Sequence, residues 1–398
     1  MKRSTDRILT THTGSLPRPP DLLDMLRARE SGEPVDARAF AERVRSAVAE
    51  VVRKQVEAGI DVVSDGEMGK PSFATYVTHR LAGFGGENPE PRIFADRAEF
   101  PEWAAEAPGS AMKRRFCLEP LAWQGEEAVQ TDIRNLKDAL SAVASAGQAR
   151  GPGQAQGPAP TGHGAVEAFM PAASLGIVAD IMVNRYYPTE EAYLFALADA
   201  MKEEYRAITR AGLVLQIDAP DAAMGRHVQF RNASLEDFRK ATALRIEALN
   251  HALDGIPEEQ VRYHICWGNY EGPHTHDVPL RDIVDLVLRV RAGAYSIEAS
   301  NPRHAHEWRV WEEVKLPPGK VLIPGVIDST TNFVEHPEVV AQRIEQYAGL
   351  VGRENVIAGT DCGFGTSAGR TRVHPEIMWA KFRAQAEGAR LATERLWG

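Results

Sequence analysis

The stretch Val261-Arg262-Tyr263-His264-Ile265-Cys266-Trp267 reads as a β-strand whose alternation sends His264 and Cys266 to one face and Ile265 to the other. Residues 235–253 before it and 280–292 after it carry helical spacing, so the strand sits inside a βα pattern. Working outward, seven further short apolar runs have strand character: residues 8–13, 61–65, 165–171, 213–218, 294–299, 321–327 and 355–360. Helical patterns fill most remaining gaps, over residues 39–58, 190–211, 337–350 and 375–396. Eight strands with intervening helices predict an α/β fold, the (β/α)8 TIM barrel, whose functional side chains gather at the carboxyl ends of the strands. An open sheet would fit the same strand count.

The chain of 398 residues is expected to form a single barrel domain over residues 1–398, with a long insertion after the second strand at about 81–163. Within the insertion, residues 116–121 read as a strand and 128–145 as a helix. Its end, Gly151-Pro152-Gly153-Gln154-Ala155-Gln156-Gly157-Pro158-Ala159-Pro160, is low in complexity and reads as a loop.

A formal net charge of −9, without a basic run or interleaved basic and aromatic residues, argues against nucleic acid as a partner. No apolar stretch has membrane-spanning length, and Met1-Lys2-Arg3-Ser4-Thr5-Asp6 opens no signal-peptide apolar region, so a cytoplasmic protein is expected. Three cysteines cannot all pair internally, which argues against a disulfide framework. Cys117, in Arg114-Arg115-Phe116-Cys117-Leu118-Glu119, reads as a half-buried strand residue.

Two further strand ends carry metal-binding chemistry: Ser296-Ile297-Glu298 and Thr360-Asp361-Cys362. If the strands lie side by side, His264, Cys266, Glu298 and Cys362 converge at the carboxyl edge as a zinc set. The structural alternative makes His264 and Cys266 barrel-filling residues and Glu298 an ion-pair partner. Two thiolates and a carboxylate would outweigh the charge of zinc, making a poor generator of hydroxide but a site able to hold an incoming thiol as a nucleophile. The chemistry favoured is thiolate attack on an alkyl carbon. A zinc hydrolase and a non-catalytic zinc-binding protein remain as other classes.

The remaining strand ends read as a cradle for a small polar substrate. Gly14 in Thr13-Gly14-Ser15-Leu16-Pro17-Arg18 lets the backbone approach closely, and Ser15 can donate a hydrogen bond. Glu67, in Asp65-Gly66-Glu67, and Asp218 would hold an ammonium group or tune a proton transfer; a cap or a solvated loop acid is the alternative for each. Arg18 would meet an anionic substrate end or lie at the surface. Asn184-Arg185-Tyr186-Tyr187 is placed to line a pocket. His274, His276, His304 and His306 form two His-x-His pairs that read as loop residues rather than a second metal site. Gly363-Phe364-Gly365-Thr366-Ser367-Ala368-Gly369 has the wrong glycine spacing for a dinucleotide fingerprint.

These segments together resemble the cobalamin-independent methionine synthase family. The likeness rests on Thr13-Gly14-Ser15-Leu16-Pro17-Arg18, Asp65-Gly66-Glu67, Gln216-Ile217-Asp218, His264-Ile265-Cys266, Ser296-Ile297-Glu298 and Asp361-Cys362-Gly363, and covers the catalytic C-terminal barrel alone. It implies zinc on His264, Cys266, Glu298 and Cys362, with homocysteine held by Ser15, Glu67 and Asp218. Two departures bear on the alkyl donor. Ser329-Thr330-Thr331 stands where methylfolate-using relatives carry a proton-delivering His, and Ala173-Ser174-Leu175-Gly176 lacks their pterin-stacking Trp. Methylfolate needs its departing nitrogen protonated.

The expected function is therefore zinc-dependent alkylation of a thiol. Methyl transfer to homocysteine, giving methionine, comes first; epoxide opening by a zinc-bound coenzyme M thiolate, as in the related epoxyalkane:coenzyme M transferases, is the alternative. The alkyl donor would be methylfolate, a methyl-corrinoid or an epoxide. The oligomeric state is not legible.

Overall fold

Strand alternation builds a closed parallel ring in the computed structural model, which describes residues 1–106, 114–149, 164–367 and 372–398. The ring strands are β1 (Leu9–Thr10), β2 (Val62–Val63), β3 (Glu167–Ala173), β4 (Val214–Asp218), β5 (Val261–Ile265), β6 (Ala294–Ile297), β7 (Val321–Ile327) and β8 (Ile357–Thr360). They hydrogen-bond in the order β1-β8-β7-β6-β5-β4-β3-β2, and the parallel bridge Thr11–Val62 closes the circle. All eight strands expected from the sequence are present, as a barrel rather than an open sheet.

Within this ring, every second residue faces the axis. Leu9, Ala294, Val321, Ile323 and Ile357 form one small apolar group, and Val62, Phe169 and Val214 another. Their alternate neighbours, such as Leu215, Ile217, Tyr263, Ile265, Tyr295 and Ile297, join the large core shared with the helices. Arg262 is fully buried, with its guanidinium 3.9 Å over the Phe169 ring and donating to Thr11 Oγ1 and the His12 carbonyl. The same alternation that turns Arg262 inward brings in His264 and Cys266.

Helices begin where the sequence offers a cap. The Ala37–Glu57, Glu190–Arg210 and Leu235–Ala252 helices start after Asp36, Thr189 and Ser234, whose side chains accept from Ala39, Ala192 and Asp237 N–H at 2.9, 3.1 and 3.0 Å. One expected helix differs. Residues 280–292 hold only a 3-10 turn at Leu280–Asp282 and a single helical turn at Val284–Val287. Ile283, Val284, Val287 and Val290 are all buried there, and β-branched side chains fit a short irregular crossover better than a long helix.

Part of the insertion forms a second sheet: Leu81–Gly85 pairs antiparallel with Arg115–Trp123, which pairs parallel with Met182–Asn184. A helix follows at Glu126–Ala149. The run Gly151–Pro160 lies outside the described residues. Among the described residues no helix is long and apolar enough to cross a membrane.

Candidate metal centre

Three candidate ligands meet at the carboxyl rim. His264 belongs to β5, Cys266 follows it, and Cys362 follows β8; their ligand atoms all lie within 4.8 Å of one another and all three residues are buried. Cys362 Sγ lies 3.8 Å from His264 Nε2, while Nδ1 of that ring lies 3.2 Å from the Ser296 hydroxyl. The bond at Nδ1 turns Nε2 toward the sulfurs. Burial lowers the His264 pKa to about 3, so the ring is neutral and able to ligate. The Cys362 thiol is pushed up by the adjacent Cys266 and by burial. Soft donors crowded together without a compensating charge suit a thiophilic divalent cation.

Glu298, just after β6, stands beside this trio rather than within it. The Trp267 N–H donates to Oε1 at 3.1 Å, while Asn301 Nδ2 and Arg303 Nη2 donate to Oε2 at 2.8 and 3.2 Å. Burial raises its pKa to about 7. Both of its oxygens are thus engaged, and it lies outside the cluster of His264, Cys266 and Cys362.

A cavity of about 730 Å³ opens over His264, Cys266 and Cys362 and is also lined by Thr13, Ser15, Glu67 and Asp218. Glu67 is buried and adopts φ 58, a left-handed conformation rare for its type, at a turn where its N–H donates to Asp65 Oδ1 at 3.0 Å. Burial raises the Glu67 pKa to about 6. Burial and the nearby Glu67 charge push Asp218 well up, although Gln216 Nε2 donates to it at 2.6 Å. Two buried carboxylates on one wall favour a cationic guest. Arg18 stands behind Glu67 and does not line the cavity: its guanidinium donates to the Glu67 and Gly365 carbonyls, with Nη2 3.8 Å from Glu67 Oε2.

The outer wall comes from the insertion, through residues such as Asn88, Arg92, Ile93 and Phe94. It is fastened by Asp96, whose buried carboxylate accepts from Tyr270 Oη at 2.5 Å and from the His274 and Thr275 N–H groups at 2.7 and 3.2 Å. No sequence signal tied Asp96 to the loop after β5. Asn184–Tyr187 instead serves the second sheet: the Leu121 N–H donates to Tyr187 Oη, Arg185 lies over Phe116, and none of the four lines the cavity.

Other sequence features resolve into supporting contacts. His274 Nδ1 and His304 Nε2 bond Asp277 at 2.9 and 3.0 Å, and His227 Nδ1 lies 2.9 Å from the same carboxylate. His304 also bonds Glu307 at 3.1 Å and stacks on Trp267 at 3.8 Å between centroids. His276 bonds exposed Glu99. The Thr330 N–H and hydroxyl both donate to Asp328 Oδ1, at 3.0 and 2.9 Å. Ser174 caps the Leu175–Ile181 helix, and a Cβ on Gly176 would lie 1.8 Å from Asp221 Oδ2. That segment is packed away from the cavity.

Residues 8–91 and 182–381 match the family model described as the catalytic domain of cobalamin-independent synthase. The chain is 26% identical to a methionine synthase from Thermococcus kodakarensis over 355 residues, covering 89% of this chain and 86% of that one. The Pyrococcus furiosus methionine synthase is 25% identical over 354 residues, covering 89% and 85%. The fold superimposes on a B12-independent methionine synthase from Shewanella sp. W3-18-1, in complex with selenomethionine, with a TM-score of 0.71 at 18% identity, covering 98% and 99% of the two chains.

Proposed function

Because the chain belongs to the cobalamin-independent methionine synthase family, we propose that it methylates the sulfur of homocysteine at a zinc centre formed by His264, Cys266, Glu298 and Cys362. A zinc ion held by those residues would supply thiol activation, keeping an incoming sulfur deprotonated and nucleophilic. The chain's own groups do the rest. Glu67 and Asp218 receive the substrate ammonium, and Ser15 closes the same wall. The buried setting excludes bulk water from the sulfur and strengthens each polar contact.

The observation that carries the choice of homocysteine is the pair of buried carboxylates, Glu67 and Asp218, lining the cavity that also reaches His264, Cys266 and Cys362. Coenzyme M has no ammonium to satisfy them. Of the donors, a methyl-corrinoid fits better than methylfolate. The hydroxyls of Thr330 and Thr331 are turned onto Asp328, and neither residue offers an acidic proton for a departing nitrogen.

Zinc-edge X-ray absorption on the purified protein, alone and then with homocysteine or coenzyme M, tests the reading. The sulfur count is expected to rise from about two to about three with homocysteine only. A rise with coenzyme M alone would move the function to epoxide opening. No rise with either would overturn thiol activation.

A further inference from the structure

Cys362 is preceded by a carboxylate that never touches the cavity. Asp361 is buried, and its Oδ1 accepts from the Ala299 and Ser300 N–H groups at 2.9 and 2.8 Å. Its Oδ2 accepts from the Asn301 N–H at 2.8 Å and from Asn301 Nδ2 at 2.9 Å. The Asp361 N–H in turn donates to the Ile327 carbonyl at 2.9 Å. One residue thus links the rim of β8 to that of β7 and to the turn that leaves β6.

That turn begins at Glu298. The amide of Asn301 reaches both acids, donating to Glu298 Oε2 at 2.8 Å and to Asp361 Oδ2 at 2.9 Å. The barrel also makes room for the carboxylate: a Cβ at Gly325 would lie 2.1 Å from Asp361 Oδ1. Placing a second buried acid near Glu298 costs electrostatic energy, and only a full set of donors offsets it. An asparagine would not substitute. Its single oxygen accepts on one side, and its NH2 would face N–H donors on the other.

We propose that Asp361 is a positioning residue of the metal centre, fixing the Glu298 carboxylate relative to Cys362. It touches neither metal nor substrate. It sets the one ligand that stands outside the His264, Cys266 and Cys362 trio, and so decides whether the fourth position is filled by protein or left to a guest. The inference rests on the zinc reading of this site.

The test measures zinc affinity by competition with a chromophoric chelator, and the visible spectrum of the cobalt(II)-loaded protein. Asp361→Asn and Asn301→Ala are each expected to weaken zinc binding roughly 10–100-fold and to shift the cobalt ligand-field bands, while sulfur-to-cobalt charge transfer persists. In a Glu298→Gln background, Asp361→Asn is expected to cost less than about two-fold more, because its effect runs through Glu298. An equal loss in both backgrounds would overturn the proposal, since a merely structural role is additive. Parent-like affinity in both single variants, beside a defective Cys266→Ser control, would overturn it too. Should Asp361→Asn fail to fold, Asn301→Ala carries the same comparison. Normal zinc binding by Cys266→Ser is the separate result that would remove the metal reading itself.

Discussion

Cys362 Sγ lies 3.8 Å from His264 Nε2, although 98 residues separate them in the chain. The contact exists because β8 and β5 end at the same rim of one ring. Replacing either sulfur should therefore dismantle the centre. Cys266→Ser and Cys362→Ser are expected to lower zinc affinity by more than roughly 100-fold, beyond what removing an outer partner costs, and to abolish transfer. Metal analysis after dialysis against a weak chelator checks this, and full occupancy in either variant would sink the assignment.

Glu67 offers a buried carboxylate on the cavity wall. Glu67→Gln is expected to weaken homocysteine binding by roughly 10–100-fold, the worth of a charge-assisted bond to an ammonium, with zinc affinity unchanged. Since the Glu67 pKa is raised to about 6, homocysteine affinity in the parent should fall as pH drops through that value. Calorimetric titration between pH 5 and 8 (a range on the order of that over which such a group changes charge) reads both effects. Equal affinity in the variant would point to a thiol without an amino group.

Burial pulls the His304 imidazolium down, but its bonds to Asp277 and Glu307 outweigh that and raise its pKa to about 9. A folded pKa above the unfolded one stabilises the native state fully below about 6.5, and the contribution disappears as pH rises through about 9. Urea unfolding of metal-free protein should therefore show a stability loss on the order of a few kcal/mol between neutral pH and about 10, largely absent from His304→Gln. Parallel profiles for the two proteins would exclude His304 as the source.

At Gly363, next to Cys362, a Cβ would lie 2.1 Å from Ser15 Oγ. Gly363→Ala is expected to displace Ser15 and to cost about 1–3 kcal/mol of stability by overpacking, with homocysteine binding weakened and both cysteines still able to hold zinc. Thermal melts and zinc titration separate these. An unchanged melting temperature would show that the rim yields more easily than its geometry implies.

Asp96 fastens the outer wall through the Tyr270 hydroxyl and the His274 and Thr275 amides. Asp96→Asn should release that wall, increasing proteolytic cleavage within residues 86–106 while leaving zinc affinity unchanged. Unaltered cleavage kinetics would show that the wall is held elsewhere.

The ring was legible because each of its strands couples an apolar run to a polar or glycine-bearing end, and because runs of helical spacing fill most of the gaps between them. The convergence of His264, Cys266 and Cys362 was legible for the same reason: strand ends share a rim, whatever their separation in sequence. The second sheet was harder to read. Leu81–Gly85 is Leu-Ala-Gly-Phe-Gly, and Met182–Asn184 has three residues, so neither carries a usable period. Asp96 and the His227, His274 and His304 contacts on Asp277 join loops whose docking depends on the whole barrel, and local spacing does not encode them.

The ring order has a consequence for how the protein is made. β8 lies between β1 and β7, so the strand that brings Cys362 is the last of the ring strands to leave the ribosome and also the one that closes the ring. Until it inserts, the cluster of His264, Cys266 and Cys362 lacks its second sulfur, even though Glu298 has already been made. On the proposed zinc reading, a complete pair of sulfurs would therefore coincide with closure of the barrel, and holding the ion would mark a finished ring.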